Sequence, residues 1–577
     1  MADHGMSKGL TNYGDKGFSR YLRTAFAKAM GYTDEDLSKP IVGVVNTYSE
    51  FNACHRGFKE LAEAVKRGVW QGGGLPIEFP TISLGEPFLH PTSMLFRNLM
   101  AMDTEEMLRA QPVDAVVLMG GCDKTVPAQL MAAASAGVPA VALVAGPMMT
   151  GSYQGERLGA CTDCRRFWGE HRAGRIDEPT IRGIESNLAP TAGTCMVMGT
   201  ASTMACVTET LGMMLPGGAA IPAVHADRIR HAEESGRAAC RLAARGITPE
   251  RIMTAQAFEN AARVLLAIGG STNGVIHLTA VAGRLGIALA PELFDRLSEE
   301  TPLLLNLKPS GQHYMEDFHK AGGMELILQE LKPKLHLNCL TVTGQTLGER
   351  LSRPYAHPDW QDVVATAQEP LQEKGGLAVL RGNLCPDGAV IKRSAASPKL
   401  MRHEGRAVVF EDLEDLARRI DDPNLDVNAE DILVLKNAGP RGAPGMTESG
   451  YLPIPKKLAA QGVKDMVRIS DARMSGTAFG TIVLHIAPEA AIGGLLGLVQ
   501  SGDRIRLDVD ARVLQLLVDE QTLAARRKQH VPRVTEAPRG YLKLHLEQVQ
   551  QAHLGCDLAF LRPPVTQILT GPLPRGK

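Results

Sequence analysis

The sequence predicts an α/β protein in which an N-terminal domain with a parallel sheet is followed by a C-terminal β-barrel-like domain. Residues 113–146 contain an apolar run, VDAVVLM, then a loop, an alanine-rich helix and a second apolar run, PAVALVAG, which is the pattern of a βαβ unit. From about residue 377 the chain changes to short β-type runs such as LAVLRG and DILVLKN. Many short strands with few helices favour a barrel or a sandwich. We therefore predict domains at residues 1–374 and 375–577.

The composition argues against several classes of function. A chain of 577 residues is too long for one hydrophobic core. Its 62 Lys and Arg residues nearly balance 63 Asp and Glu residues, and aromatic residues make up 5%, so we expect neither nucleic acid nor membrane as a partner. The N-terminus lacks the apolar core of a signal peptide, and no run approaches the length of a spanning helix. We expect a soluble, cytoplasmic protein.

The N-terminal elements follow from the apolar pattern. Residues 40–47 (PIVGVVNT) predict a buried strand, and residues 55–70 predict a helix with one apolar face. A Gly/Pro loop at residues 81–91 precedes a Met-rich helix at 92–107. Residues 221–285 read as helices that the loop GGSTNG interrupts. In the second domain, apolar and polar residues alternate in the segment GDRIRLDVDARVL, which predicts a pair of strands.

Ten cysteines in so long a chain are too dilute for a disulfide scaffold, so metal binding and catalysis are the functions to consider. Cys54, Cys122 and Cys195 each lie in a loop that we expect to join a strand to a helix. Three thiolates that converge at one crevice can hold an iron–sulfur cluster and leave one iron without a full set of protein ligands. The alternative is that all three are small buried apolar residues, as most free cysteines are.

Cys161 and Cys164 form the one closely spaced pair, in the segment GACTDCRRFWGE. CxxC is typical of zinc or redox sites. The chain has no second CxxC pair, so we interpret this segment as a surface loop or lid.

Carboxylates near the predicted strand ends are possible Mg²⁺ ligands. Glu86, Asp123 and Glu448 offer hard oxygen atoms, although each by itself can equally be a solvated surface carboxylate. Lys124, beside Asp123, is by itself a surface cation. Within a carboxylate cluster it would be a salt-bridge partner or, if carbamylated, a further oxygen ligand.

Ser475 lies in the glycine-flanked turn RMSGTAFG. Most serines in such turns cap a helix or tighten the turn. No GxSxG motif surrounds it, which argues against a hydrolase triad.

Several long motifs together resemble, in order and along nearly the whole chain, the family of dihydroxy-acid, phosphogluconate and sugar-acid dehydratases. They are GGCDKTVPAQLM, the Cys195 loop, KPSGQHYMEDFHKAGG, GNLCPDGAV, KNAGPRGAPGMTE and ISDARMSGTAFGTIVLHIAPEAA. The resemblance implies an N-terminal α/β domain, a C-terminal β-barrel-like domain, and an active site between them in a homodimer or homotetramer.

The family pattern also implies roles for particular residues. It makes Cys54, Cys122 and Cys195 ligands of a 2Fe-2S cluster, makes Glu86, Asp123, Glu448 and carbamylated Lys124 ligands of Mg²⁺, and makes Ser475 the base. Such a site removes the C2 proton of a 2,3-dihydroxy acid while Mg²⁺ holds the carboxylate and 2-hydroxyl and an iron takes the 3-hydroxyl. The enol product becomes a 2-keto-3-deoxy acid. A serine base requires a nearby cation that lowers its pKa.

Within the family, ISDARMSGTAFGTIVLHIAPEA and the segment RGYLKLHLEQVQQAHLGCDLAF resemble the sugar-acid branch. The resemblance thus implies an aldonate dehydratase for a pentonate or hexonate, a small-molecule substrate. The alternatives are the dihydroxy-acid dehydratase of branched-chain amino-acid synthesis and a promiscuous enzyme that also uses glycerate. From another class, a non-catalytic iron–sulfur sensor would need a specialised partner surface, which the sequence does not display.

Overall fold

A four-stranded parallel sheet forms the centre of the N-terminal part. The computed structural model describes residues 4–574 except residues 11, 354 and 534. The strands of this sheet are β1 (Ile41–Asn46), β2 (Leu75–Pro80), β3 (Ala115–Gly120) and β4 (Ala140–Val144). Their order is β2-β1-β3-β4, and every pair is parallel. All residues of β1, β3 and β4 are buried, as expected of a sheet covered on both faces. The predicted parallel-sheet domain is confirmed.

Helices cover this sheet and fill the rest of the N-terminal part. They are α1 (Lys16–Ala29), α2 (Phe58–Gln71), α3 (Ser93–Ala110), α4 (Thr125–Ala136), α5 (Thr162–Arg172), α6 (Glu178–Glu185), α7 (Thr200–Thr210), α8 (Ala226–Arg245), α9 (Pro249–Ile252), α10 (Ala255–Ala267), α11 (Thr272–Gly283), α12 (Pro291–Glu300), α13 (Met315–Ala321), α14 (Met324–Leu331) and α15 (Leu347–Arg350). Short strands are β5 (Gly151–Tyr153), β6 (Glu156–Leu158) and β7 (Ile287–Leu289). The helices predicted around α2, α3 and α8 to α11 are confirmed.

An eight-stranded sheet curves into a nearly closed barrel in the C-terminal part. Its strands are β8 (Ala378–Leu380), β9 (Gly388–Ile391), β10 (Arg402–Phe410), β11 (Ile432–Leu435), β12 (Arg468–Ser470), β13 (Ile482–Ala487), β14 (Arg504–Asp508) and β15 (Val513–Leu516), in the order β15-β14-β10-β11-β12-β13-β9-β8. The two edges meet beyond β8. There the amide of Arg381 donates to the carbonyl of Arg512 at 2.8 Å, and the amide of Leu514 donates to the carbonyl of Arg381 at 2.8 Å. The predicted barrel-like domain is confirmed.

Successive side chains of the barrel strands pack into two different apolar cores, one on each face of the sheet. Val409 and Val434 point into one apolar cluster, whereas their neighbours Val408 and Leu433 belong to another on the opposite face, as the two-residue period of a strand requires. The helices of this part are α16 (Leu413–Arg419), α17 (Lys456–Ala460), α18 (Glu520–Gln529) and α19 (Gly540–Gln548). Within the described residues, no helix combines the length and apolarity that a bilayer crossing needs.

The end of the chain returns to the N-terminal part. Strand β16 (Gln567–Leu569) pairs in parallel with β7, and the buried guanidinium of Arg284 forms an ion pair with Asp557 at 2.6 Å. The predicted domain boundary near Gly375 stays a prediction.

Helices α2 and α8 touch through their backbones in the C-terminal half of α2. An ideal Cβ on Gly68 of α2 would lie 1.8 Å from the carbonyl oxygen of Glu233, and one on Gly236 of α8 would lie 2.2 Å from that of Val65. Glycine is unfavourable inside a helix, but only glycine permits so close an approach.

We predict that Gly68→Ala forces the two helices apart. Overpacking of this kind costs about 1–3 kcal/mol of unfolding free energy, so thermal unfolding should show a lower melting temperature. Gly169→Ala in α5 is the matched control, since its added Cβ meets no atom within 4 Å and alanine is the better helix former. A Gly68→Ala protein that melts with the wild type would contradict the close contact.

Candidate active site

The functional side chains predicted in the N-terminal part gather at the carboxyl edge of the parallel sheet. Cys54 lies between β1 and α2, Glu86 follows β2, and Cys122, Asp123 and Lys124 lie between β3 and α4. Side chains in these loops face one crevice, because the carboxyl ends of parallel strands share an edge. The predicted strand-to-helix placement of Cys54 and Cys122 is confirmed.

A buried ionic cluster joins this edge to the C-terminal part. The side chain of Lys124 has no exposed surface; its Nζ lies 3.2 Å from Glu86 and 3.2 Å from Glu448, and it also pairs with Asp123. Glu448 comes from the segment after β11. Arg473, after β12, lies 2.5 Å from Glu448 and 3.6 Å from Glu86. The structure thus brings together the three predicted carboxylates and Lys124.

Arg473 is a member of this cluster that the sequence reasoning missed. It lies two residues before Ser475 in the motif RMSGTAFG, and nothing in the motif distinguishes it from a surface arginine. Its Nη2 also donates to Thr92 Oγ1 at 2.6 Å, and Thr92 Oγ1 donates to Glu86 at 2.7 Å. The amide of Ser93 at the start of α3 donates to Glu86 at 3.1 Å, so this carboxylate is held by the helix N-terminus as well.

The cluster sets the charge states of its members. Burial and Arg473 both act to lower the pKa of Lys124, yet the three carboxylates outweigh them and hold it above its usual value. Burial acts to raise the pKa of Glu86 and of Glu448, but Lys124 and Arg473 bring both below their usual values. The pKa of Asp123 is raised, first by burial and then by the two neighbouring carboxylates.

The oxygen donors of this cluster are of the chemical type that a hard divalent cation binds. The three carboxylates surround the ammonium of Lys124, so positive charge is stabilised at this position. With Arg473, the group has three acidic and two basic side chains. Carboxylate oxygens are the donors that Mg²⁺ prefers. Carbamylation of Lys124 would replace the central cation with another oxygen donor.

In the described part of the chain, the three predicted thiols do not lie together in one group. Cys54 lies beside Cys122, and this neighbouring thiol, together with burial, raises the pKa of Cys122 well above its usual value. The thiol of Cys195 instead lies 2.9 Å from that of Cys161. The loop before Cys195 reaches Cys54, because the amide of Gly193 donates to the carbonyl of Ala53 at 3.3 Å.

The predicted strand before Cys195 is wrong. In the described chain, Cys195 follows α6 and a long loop, in which Thr194 makes only an isolated parallel bridge to Pro147. The stretch TAGTC has small polar residues and no apolar run, so nothing drives it into a sheet. The predicted helix after Cys195 is confirmed as α7.

The interpretation of the CTDC segment as a surface loop or lid is also wrong. Cys161 and Cys164 are half-buried at the start of α5, and Cys164 Sγ lies 3.0 Å from the carbonyl oxygen of Cys161. The missed partner, Cys195, is 34 residues further along the chain, and no local spacing reveals such a pair.

His55 connects the loops that carry Cys54 and Cys122, and the sequence reasoning missed it. The ring is fully buried, and its Nε2 accepts from the amides of Gly121 at 3.0 Å and Cys122 at 2.9 Å. Nδ1 therefore carries the proton and donates to the carbonyl of Thr47 at 2.8 Å. A neutral ring is also favoured because burial lowers the pKa of His55 to about 4.

The loop of Ser475 is fixed against the N-terminal part. Ser475 Oγ lies 2.8 Å from Thr477 Oγ1, and Thr162 Oγ1 at the start of α5 donates to the carbonyl of Thr477 at 2.9 Å. Asn273 Nδ2 of α11 donates to the carbonyl of Met474 at 3.0 Å. Ser475 therefore lies at the junction of the two parts.

Two family models match the chain. The dihydroxy-acid/6-phosphogluconate dehydratase N-terminal model covers residues 39–350, and the C-terminal model of the same description covers residues 362–556. The chain belongs to the dihydroxy-acid/6-phosphogluconate dehydratase family. The resemblance inferred from its motifs is confirmed, and membership assigns this dehydratase to the lyases that remove water.

Relatives of this dehydratase carry names of both sugar-acid and dihydroxy-acid enzymes. The 6-deoxy-6-sulfo-D-gluconate dehydratase of Pseudomonas putida is 46% identical over 532 residues, 92% of each chain. An L-arabinonate dehydratase of Rhizobium leguminosarum bv. trifolii is 45% identical over 554 residues, 95% of each chain. A dihydroxy-acid dehydratase of Caldicellulosiruptor bescii is 39% identical over 551 residues, 94% of this chain and 99% of the relative.

We predict that His55→Ala destabilises the loop of Cys122 in this dehydratase. Two buried amides lose their acceptor, at about 1–3 kcal/mol each, so the melting temperature and the protection of these two amides from hydrogen exchange should both fall. His55→Gln is the matched variant, because its amide oxygen can still accept, and it should lose less of both. Equal behaviour of the two variants would contradict the role of Nε2.

Proposed function

We propose that the protein is an aldonate dehydratase. It removes water from a 2,3-dihydroxy sugar acid, a pentonate or hexonate, and releases a 2-keto-3-deoxy acid. The observation that carries this proposal is the convergence of three carboxylates on buried Lys124, at the junction where the Ser475 loop is also fixed. The names and the 45–46% identity of the sugar-acid dehydratases favour an aldonate.

We assign the cofactors by the chemistry of the donors. The oxygen cluster of Glu86, Asp123, Glu448 and carbamylated Lys124 would hold Mg²⁺, and the thiols of Cys54, Cys122 and Cys195 would hold a 2Fe-2S cluster. When bound, the two groups supply Lewis acidity toward the carboxylate and hydroxyl oxygens of the substrate.

The chain's own residues perform the proton chemistry. Ser475 Oγ removes the C2 proton of the substrate, the C3–O bond breaks, and the departing hydroxide takes that proton from Ser475 and leaves as water. The enol then takes up a proton from solvent at C3 and loses its hydroxyl proton as it becomes the ketone. Arg473 keeps Glu448 charged and in place, while His55 holds the backbone of Cys122. The tight junction of the two parts excludes bulk water, which strengthens electrostatic interactions inside it.

A branched-chain dihydroxy acid is the second candidate substrate, since a relative named dihydroxy-acid dehydratase matches 94% of this chain at 39% identity. We also propose that the protein forms a homodimer or homotetramer and acts in the cytoplasm.

The thiol assignment is tested by replacing each cysteine with serine. Cys54→Ser, Cys122→Ser and Cys195→Ser should each abolish the visible absorption of anaerobically purified protein, because a thiolate ligand is lost. Cys161→Ser is the matched control for Cys195→Ser, since the two thiols touch, and it should keep the absorption. Bleaching by Cys161→Ser or Cys164→Ser instead would show that the ligands are misassigned.

The base is tested with Ser475→Ala. Loss of a proton-transfer group costs about 10²–10⁴-fold in kcat, and exchange of the substrate's C2 proton with D₂O should disappear together with turnover. A serine that only shapes its turn predicts a loss of about 1 kcal/mol of stability with exchange intact. Measurement of exchange, turnover and melting temperature on this variant separates the two roles.

A further inference from the structure

Arg165 is a cation beside the Ser475 loop that the proposed chemistry leaves without a role. It lies in the first turn of α5, and its Nη1 donates to Thr477 Oγ1 at 2.8 Å and to the carbonyl of Cys161 at 2.7 Å. Its guanidinium also lies over the ring of Tyr451, 5.7 Å from the centroid. Among the described residues, no carboxylate oxygen lies within 4 Å of it, in contrast to its neighbour Arg166, which pairs with Asp163 at 3.2 Å.

The hydrogen bonds between Arg165 and Ser475 have a defined direction. A guanidinium only donates, so Thr477 Oγ1 is the acceptor of Arg165. The hydroxyl hydrogen of Thr477 is then free to point to Ser475 Oγ, which lies 2.8 Å away. The backbone amide of Thr477 approaches the same oxygen at 3.4 Å. Ser475 Oγ is thereby surrounded by donors backed by a fixed positive charge, an environment that favours the alkoxide over the alcohol.

We propose that Arg165 is a positioning residue that acts through Thr477 to lower the pKa of Ser475 and so makes it a competent base. This inference rests on the proposed role of Ser475. The serine proton leaves to solvent, and the resulting alkoxide accepts the C2 proton of the substrate. A unit charge about 5 Å from an oxyanion, at an effective dielectric constant of about 20, favours the anion by about two pKa units.

Other charged groups surround the pair. Charged and titratable side chains near Ser475 and Arg165 include Lys392, Arg473, Glu448, Tyr451, Cys161 and Cys164. Of these, Lys392 is the competitor, because it is buried and its Nζ donates to the carbonyl of Gly476 at 3.3 Å. Burial lowers the pKa of Lys392 to about 7. However, this hydrogen bond of Lys392 ends on a backbone carbonyl, whereas Arg165 reaches the serine oxygen through a side-chain hydroxyl.

The test compares Arg165→Met, Arg165→Lys and Thr477→Val in the cofactor-loaded protein. Arg165→Met should lower kcat at pH 7 about tenfold to a hundredfold and move the acid limb of the kcat profile up by about one to two pH units. Thr477→Val, which keeps the side-chain shape, should do the same, and Arg165→Lys should restore part of the loss. Arg182→Met is the control, since it removes an exposed charge that pairs with Glu178 on the same helix and should change neither value.

A second readout does not depend on the cofactors. Labelling of Ser475 by a fluorophosphonate, followed by mass spectrometry across pH in cofactor-free protein, should slow in Arg165→Met and require higher pH. A uniform loss of kcat with an unshifted profile and unchanged labelling would overturn the proposal. A higher KM with unchanged kcat, or a shift produced by Lys392→Met instead, would overturn it as well. Full turnover by Ser475→Ala would instead refute the proposed base itself.

Discussion

The burial of Lys124 is the constraint on which the rest of the site depends. A lysine without any exposed surface would be costly if left as an unpaired charge, and this one is stabilised by Glu86, Asp123 and Glu448. Two of these carboxylates come from loops of the parallel sheet, and the third comes from the C-terminal part. The ionic cluster can form only when the two parts of the chain are together. It therefore couples assembly of the molecule to assembly of the active site.

The two architectures contribute different properties to this site. The parallel sheet presents its loops at one edge, where His55 fixes the backbone of Cys122. The barrel delivers Arg473 and Ser475 from the segment after β12, and contacts with α5 and α11 hold that segment in place. In the proposed mechanism, the N-terminal part would provide the three thiols and two of the carboxylates, and the C-terminal part would provide the base, the third carboxylate and the arginine that positions it. Under that proposal, neither part contains all the groups that dehydration requires.

Continuous apolar runs made the core strands predictable, because β1, β3 and β4 are buried on both faces and read as unbroken hydrophobic stretches. The strand expected before Cys195 failed, since a stretch of small residues fits a loop as readily as a strand. Motif resemblance and loop placement were the basis for predicting Cys54, Cys122, Glu86 and Glu448 as site residues. The contacts of Arg473, Arg165 and Cys161 were not predictable, because each depends on a partner brought close only by tertiary packing. Residue type and local spacing do not predict contacts between residues that are far apart in the chain.

The central claim is that carboxylates from both parts of the chain hold the divalent cation that dehydration of an aldonate requires. The thiols would form a second, distinct site for the iron–sulfur cluster. Formation of 2-keto-3-deoxy acid from a panel of pentonates and hexonates, before and after removal of divalent cations from anaerobically purified protein, tests it most directly. Turnover should stop while the visible absorption persists, and added Mg²⁺ should restore turnover. Full turnover after complete removal of divalent cations, or no keto acid from any aldonate in the loaded protein, would contradict it.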